Sequence, residues 1–325
     1  MSTTANASKA GIVVVGSLNA DLTIYTDRLP NPGETVHGNG FAVNPGGKSA
    51  NQAVAASKLG GSVSLIGAVG EDSNGTMLLD STAGAGVDVS RVRRSDVATG
   101  VAVISVDSSG ENSIIISAGA NGTLAPADVE GADVFGDAAV VCLCLEVGTD
   151  TVVAAAQAGH DAGATVLLNL SPYAEVPEEL VGLSDVLLVN AHEASLFLGT
   201  EAGIPGADAE AEAWEPVRSL FADRGMQRVL VTLGAQGSVV LDSLAGGEDQ
   251  ITRIEPTRVT AVDTTGAGDA FTGGVAARLA AGDSLADAAA FASVAAALAA
   301  TKKGTQAAYP AAAEVDQLRK QADLG

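Results

Sequence analysis

The chain is poor in aromatic side chains: Phe, Trp and Tyr make up 3% of its 325 residues. Its core must therefore be built from small aliphatic groups, mostly Ala, Val and Leu. A hydrophobic content of 47% supplies enough of them for a large fold. Basic residues are also scarce, with 17 Lys and Arg against 39 Asp and Glu and a formal charge of −22. A surface of that sign keeps a protein soluble and repels nucleic acid and anionic membranes. It also repels free nucleotide, so a nucleotide site would need local positive features such as helix N-termini, metal ions or a few lysines. Only two cysteines occur, Cys142 and Cys144. Their spacing puts them on one face of a strand, and with no further ligands nearby they read as buried thiols. No long apolar run is present. Residues 1–10 lack the apolar stretch of a signal peptide and are expected to be a disordered tail. The Ala-rich stretch 286–300 contains Asp287 and Ser293 and is too short to span a bilayer. The cytoplasm is the expected compartment. His37, His160 and His192 make no metal-ligand spacing.

The hydrophobic pattern predicts an α/β protein with a mostly parallel central sheet flanked by helices. Ile12–Val15, followed by Gly16, reads as a buried strand. Residues 22–26 and 34–43 read as extended, separated by the turn-former Pro30-Asn31-Pro32-Gly33. Helices are expected over 48–59 and 73–85, with a strand over 63–69. Asp107-Ser108-Ser109-Gly110 signals a hairpin between 101–106 and 113–117. Strands at 139–145, 165–169, 186–189 and 228–233 then alternate with helices near 149–162, 191–198 and 208–225, the rhythm of a parallel sheet. Short strands at 239–241 and 251–254 precede two long helices near 267–281 and 284–301. One domain over 11–325 is expected. Segments 21–46 and 98–118 do not fit its rhythm, and form either a small β-sheet lid or an extension of the main sheet. Arg91, Arg93 and Arg94 read as a solvated loop face, and Trp214 as packing on a helix.

The strongest chemical signal is the stretch from Asp263 to Gly274, DTTGAGDAFTGG. Glycines in a tight turn just before a helix leave backbone N–H groups unpaired at the positive end of the helix dipole, which makes an anion site. Asp269 would stand beside the bound anion. A negative side chain there is unfavourable unless it acts, for instance by taking a proton from an attacking hydroxyl. On spacing alone a second reading is open, in which Asp269 only complements the dipole and the glycines punctuate a turn. Other phosphate motifs are missing. Gly47-Lys48-Ser49 ends like a Walker A loop, but Ala42 stands where that loop wants glycine. No dinucleotide fingerprint and no protein-kinase set is found.

Six motifs in order resemble the ribokinase and phosphofructokinase-B group of carbohydrate kinases. They are Gly16-Ser17-Leu18-Asn19-Ala20-Asp21, Pro45–Ala53 (PGGKSANQA), Ala118-Gly119-Ala120-Asn121, Asn190-Ala191-His192-Glu193, Thr232–Gly237 (TLGAQG) and Asp263–Gly274. The resemblance runs from about Gly11 to Pro310, and departs from the family where Ser49 replaces a glycine. It implies phosphorylation of a sugar hydroxyl by ATP, D-ribose to ribose 5-phosphate, with Asp269 as catalytic base. Backbone N–H groups of Gly266, Ala267 and Gly268 would hold the transferring phosphoryl group. Asn19, Asp21, Gly47, Lys48, Asn51 and Glu146 would hold the sugar. Asn190, Thr232, Gly234, Gly237, Gly268 and Ser293 would contact ATP. Glu193 would organise Mg²⁺ through water. A K⁺ ion would lie between Asp263, Thr265, Ala299, Lys302, Gly304 and Ala308, mostly on backbone carbonyls; related chains often carry Ser at the last position. A homodimer paired through the lid is a further expectation.

Asp21 and Asn19 suit a diol, because a carboxylate accepts from two adjacent hydroxyls. A phosphorylated sugar would need cationic groups over the site, and the lid segments offer only Arg28 and His37. A nucleoside could stack on Tyr25 or Phe41, so a nucleoside kinase stands as the alternative enzyme. A non-catalytic sugar-binding protein is the alternative of another class, and would need neither Asp269 nor the glycine turn.

Overall fold

The computed structural model describes residues 10–322 except 201, 202 and 207; the tail expected over 1–10 lies, but for Ala10, outside them. The chain opens with β1 (Gly11–Val15), β2 (Asn19–Thr26), β3 (Gly38–Gly46), α1 (Lys48–Lys58), β4 (Ser62–Gly70), α2 (Ser73–Gly84) and β5 (Asp88–Ser95). Next come β6 (Gly100–Val106), β7 (Asn112–Ser117), α3 (Pro126–Val129), β8 (Ala138–Leu143), α4 (Thr149–Asp161), β9 (Thr165–Asn169), α5 (Glu178–Leu183), β10 (Val186–Asn190) and α6 (Ala191–Leu198). The last part holds α7 (Ala211–Asp223), β11 (Arg228–Thr232), β12 (Ser238–Asp242), β13 (Ile251–Ile254), α8 (Ala267–Ala280), α9 (Leu285–Ala300) and α10 (Ala312–Ala322).

Among the described residues these strands form two sheets. The larger has nine strands in the order β13-β12-β11-β10-β9-β8-β1-β4-β5, antiparallel only at β11–β12 and β12–β13. Its strands are apolar on both faces because helices cover both. Ile12 and Val14 face α1, α8 and α9, whereas Val13 and Val15 face the side of α4, α6 and α7. The period of two along a strand enforces this alternation. The chain builds outward from β1 through β4 to β5, then returns to β8 on the other side of β1. The strand order reverses there, and such a reversal opens a crevice at the carboxyl ends of the strands, where ligands of open α/β sheets bind.

The smaller sheet, β3-β2-β6-β7, is separate from the larger one rather than an extension of it. Its β2–β6 pair is parallel, while β2–β3 and β6–β7 are antiparallel. Only Gly16, Ser17 and Leu18 separate β1 from β2, and Asn19 of β2 and Ile116 of β7 line the crevice, so this sheet stands over it at the switch point.

One expectation is overturned at the opposite edge. Arg91, Arg93 and Arg94 lie in β5, an edge strand paired with β4, and not in a loop. Strand β5 buries Val92, while Arg91 and Arg93 pair with Asp133 and Asp128 and Arg94 donates to the Gly70 carbonyl. Four polar or charged neighbours hide that single apolar anchor from a periodicity argument, and charge on an edge strand discourages further pairing. Helix α10 was not expected either; its buried anchor is Val315, with Leu318 partly buried. Trp214 is buried in the core as expected.

Candidate active site

Helix α8 begins at Gly266, whose φ of 75° is left-handed, with Asp269 in the first turn. A Cβ at Gly266 would stand 2.4 Å from Thr305 Cγ2 and 2.7 Å from the Tyr309 hydroxyl, so only glycine fits that turn. First-turn N–H groups have no acceptor within their helix. The Ala267 N–H donates to the Thr264 carbonyl at 3.1 Å, which closes the turn and takes that group from the set expected to meet a phosphoryl group.

The Asp269 carboxylate is buried and fixed at both oxygens. Asn51 Nδ2 donates to Oδ2 and Gln52 Nε2 to Oδ1, each at 3.0 Å. Both amides come from α1, which packs along α8. Burial pushes the Asp269 carboxyl up, while Lys48 and the two amides draw it back and Glu146 adds to the rise.

Around this carboxylate the switch-point crevice gathers residues from distant parts of the chain. Glu146 follows β8, accepting from Ser17 Oγ at 2.6 Å and from the Lys48 backbone N–H at 2.9 Å. That pair ties the loop after β1 to the start of α1. Asn121 accepts from the Leu18 N–H at 3.0 Å, and its Nδ2 donates to Asn19 Oδ1 at 2.8 Å, fixing Asn19. Asp21 lies two residues further on and is pushed up to about 7 by burial first, then by Glu146 and Asp269. Burial pulls the Lys48 ammonium down, but Asp269, Glu146, Cys144 and Glu193 outweigh it and hold the ammonium above its ordinary value. One cation thus faces three carboxylates. A cavity of about 300 Å³ opens here, lined among others by Asn19, Asn121, Glu146 and Ile116 of β7. Gly47 caps the start of α1 beside the same loop.

The residues expected at the nucleotide lie along the same edge of the sheet. Asn190 and Thr232 are register partners at the carboxyl ends of β10 and β11. Asn190 caps α6 reciprocally with Glu193: its Oδ1 accepts from the Glu193 N–H at 2.8 Å, and Glu193 Oε2 accepts from the Asn190 N–H at 2.9 Å. Gly234 and Gly237 bound a short turn between β11 and β12. Ser293 is half-buried on α9, which packs on β12 and β13.

The segments expected to hold a monovalent cation do meet. Asp263 Oδ2 accepts from the Gly304 N–H and Oδ1 from the Thr265 N–H, both at 3.0 Å. The Lys302 side chain pairs with Glu314 at 3.1 Å, and its backbone N–H donates to the Ala299 carbonyl at 3.2 Å. Ala308 is buried and can offer only its carbonyl oxygen. Ser49, where the sequence departs from the family pattern, is also buried, with Oγ 3.1 Å from Cys144 Sγ. Both cysteines are buried and free, and burial pushes both thiols up.

Gln52 and Gln306 are site residues that motif reading missed. Gln52 stands in a quoted motif, but nothing in one sequence shows that its amide reaches Asp269. Gln306 is 255 residues from Asn51, to whose Oδ1 it donates at 3.0 Å.

A buried carboxylate behind a glycine turn at a helix N-terminus, opposite a polar crevice at a sheet switch point, defines a kinase of small hydroxylated molecules. The chain belongs to the pfkB family of carbohydrate kinases, whose pattern matches residues 9–312. It is 36% identical over 313 residues to the ribokinase of Schizosaccharomyces pombe, covering 94% of this chain and 96% of that one. It is 34% identical over 302 residues to the deoxyribokinase of Salmonella typhimurium, covering 92% and 95%. Among solved structures, Arabidopsis thaliana ribokinase complexed with ribose and ATP aligns with a TM-score of 0.85 and 32% identity, over 96% of this chain and 99% of that one.

Proposed function

We propose that this carbohydrate kinase transfers the γ-phosphoryl group of ATP to D-ribose, giving ribose 5-phosphate. The observation that carries the reading is the convergence of Asn19, Asp21, Lys48 and Glu146 on the crevice in front of Asp269, beside the α8 turn. Asn19, Asp21 and Glu146 accept hydrogen bonds from sugar hydroxyls, and Lys48 donates. Asp269 takes the proton from the attacking hydroxyl as the phosphoryl group moves, and the α8 N-terminus stabilises charge on the transferring oxygens. ATP lies along the carboxyl ends of β10 and β11, over Asn190, Thr232, Gly234 and Gly237, with Ser293 nearby. Mg²⁺ would neutralise the phosphates. Glu193 suits a contact through water, because one of its oxygens already serves the α6 cap. The Asp263 loop and the 299–308 segment suit a K⁺ ion held on carbonyl oxygens, which would stiffen the α8 turn.

The four-stranded sheet acts as a lid in this reading. Ile116 lines the crevice, whereas Ile115, 71% exposed, points the opposite way and suits pairing with the lid of a second copy. Arg28, the lid's main cation, is already paired with Glu34, which supports an unphosphorylated sugar.

The resemblance to a deoxyribokinase makes 2-deoxyribose the competing substrate. A coupled ADP-release assay with ribose, 2-deoxyribose, fructose 6-phosphate and adenosine decides among them. Ribose should give the highest kcat/KM, and Asp269→Asn should lower kcat on the order of 10²–10⁴-fold. A preference for any other substrate overturns the assignment to ribose, and wild-type turnover in Asp269→Asn overturns the assignment of the base.

A further inference from the structure

A carboxylate that accepts a proton in flight must keep one lone pair aimed at the substrate. In this site two chains of amides meet at Asp269. On one side, Cys142 of β8 donates its thiol to Gln52 Oε1 at 3.4 Å, and Gln52 Nε2 donates to Asp269 Oδ1. On the other, Ser81 of α2 donates to Gln306 Oε1 at 3.4 Å, Gln306 Nε2 donates to Asn51 Oδ1, and Asn51 Nδ2 donates to Asp269 Oδ2. Lys58 holds the Gln306 backbone carbonyl at 2.7 Å. Every amide in these chains receives a donor at its oxygen and gives a hydrogen at its nitrogen, so neither Asn51 nor Gln52 can flip without setting like against like.

We propose that Gln52 and Gln306 are positioning residues of the phosphoryl-transfer reaction: they fix the direction and charge of the Asp269 carboxylate, Gln52 directly and Gln306 through Asn51. Gln306 lies in the segment after α9, which Asp263 ties through Gly304 to the loop before α8. The loop that shapes the anion turn therefore also sets the base. A consequence is that Asn51 has one lone pair engaged by Gln306 and one amide hydrogen given to Asp269, which leaves one hydrogen and one lone pair for the sugar. The inference rests on Asp269 being the base.

The test is the pH profile of kcat for purified variants, with KM for ATP, KM for ribose and thermal stability measured alongside. The charged groups facing Asp269 are Lys48 of α1, Glu146 after β8 and Asp21 of β2, with the Tyr309 hydroxyl close by; all stay in place in these variants. Donors to a carboxylate favour its charged form, so removing one raises the pH at which the base ionises. Gln52→Met should move the acid limb of kcat up by about one pH unit, so that the loss is about tenfold on that limb and small at high pH. KM for ATP should stay within about twofold, since neither residue lies at the strand ends assigned to the nucleotide. Gln306→Glu should cost more kcat than Gln306→Met. A carboxylate at 306 accepts only, and turns the Asn51 carbonyl toward Asp269, whereas methionine merely frees the amide.

A residue that only fills space would lower the melting temperature and leave the pH profile unmoved. Wild-type acid limbs in both folded methionine variants overturn the inference, as does Gln306→Glu performing better than Gln306→Met. If one position does not tolerate substitution, the other, together with Cys142→Ala, reads the same pair of chains. Asp269→Asn separates the two levels: full activity there removes the base itself, whereas an inactive Asp269→Asn with unaffected glutamine variants removes only this inference.

Discussion

At the scale of single residues the site is built against its own stability. Asp269, Glu146 and Glu193 face one ammonium, Lys48, while Asp21 feels Glu146 and Asp269 with no such cation to relieve it. The clearest consequence is Asp21, whose carboxyl titrates at about 7 because burial and the two other carboxylates disfavour its charge. A folded-state value above the unfolded one means that the folded protein holds an extra proton between about 4 and 7. Asp21 therefore favours the fold at acid pH and withdraws that support as pH rises through 7. Asp21→Asn should flatten this part of the stability profile and raise the melting temperature of the sugar-free protein at pH 8, by about 2–4 °C for each kcal/mol recovered. It should also raise KM for ribose, since the hydroxyls lose a charged acceptor, on the order of 1.5–3 kcal/mol. Thermal melts from pH 5 to 9 check the first statement. An unchanged slope would show that Asp21 is not the group responsible.

At the scale of elements, catalytic geometry depends on how closely α1 approaches α8. Glycine makes that approach possible: a Cβ on Gly273 would stand 2.6 Å from both Ala55 Cβ and the Gln52 carbonyl oxygen. The same helix α1 carries Lys48, Asn51 and Gln52. Gly273→Ala should therefore push α1 away from α8, lowering stability by about 1–3 kcal/mol and loosening the amides from Asp269. Stability to chemical denaturant and kcat should fall together in this variant, while KM for ATP, which we propose is bound mainly at β10 and β11, should change less. A variant of unchanged stability and turnover would mean that the helices have slack that these distances deny. The small-residue composition thus acquires a specific use: with larger side chains on α1 or α8, the amides could not come within 3.0 Å of Asp269.

At the scale of the molecule the acidic surface and the proposed cation site make separable demands on salt. A net charge of −22 repels itself and ATP, so any salt should raise stability and ease nucleotide binding at low ionic strength. The proposed K⁺ site between Asp263 and the 299–308 segment would instead distinguish ions by kind. Initial rates measured at constant ionic strength, with tetramethylammonium chloride replacing KCl, isolate that effect. The rate should rise with K⁺ and less with Na⁺, and Asp263→Ala should remove the difference. A flat response to K⁺ would leave Asp263 as a tether between the two loops and no more. Binding should be weaker than where a serine hydroxyl stands, because Ala308 offers only its carbonyl.

The alternation of strands and helices, the glycine turn ahead of α8 and the acidic surface charge were all legible in the sequence, because each is a local pattern: a period of two or 3.6, a turn composition, a sum of charges. Such patterns also placed Asp269 in the first turn of that helix. They did not place β5, whose single buried valine sits among arginines, nor α10, which is anchored mainly by Val315. Nor could they show that Gln306 reaches Asn51 across 255 positions, that Ser49 settles against Cys144, or that the Ala267 N–H is taken by Thr264. Hydrogen bonds between distant side chains depend on how the sheet twists and how closely the helices stack, and those are properties of the whole packed chain. The sequence by itself determined which groups were available for chemistry. The tertiary structure decided which of them touch, because burial penalises a polar group left without a partner, and the partners are chosen by packing rather than by position along the chain.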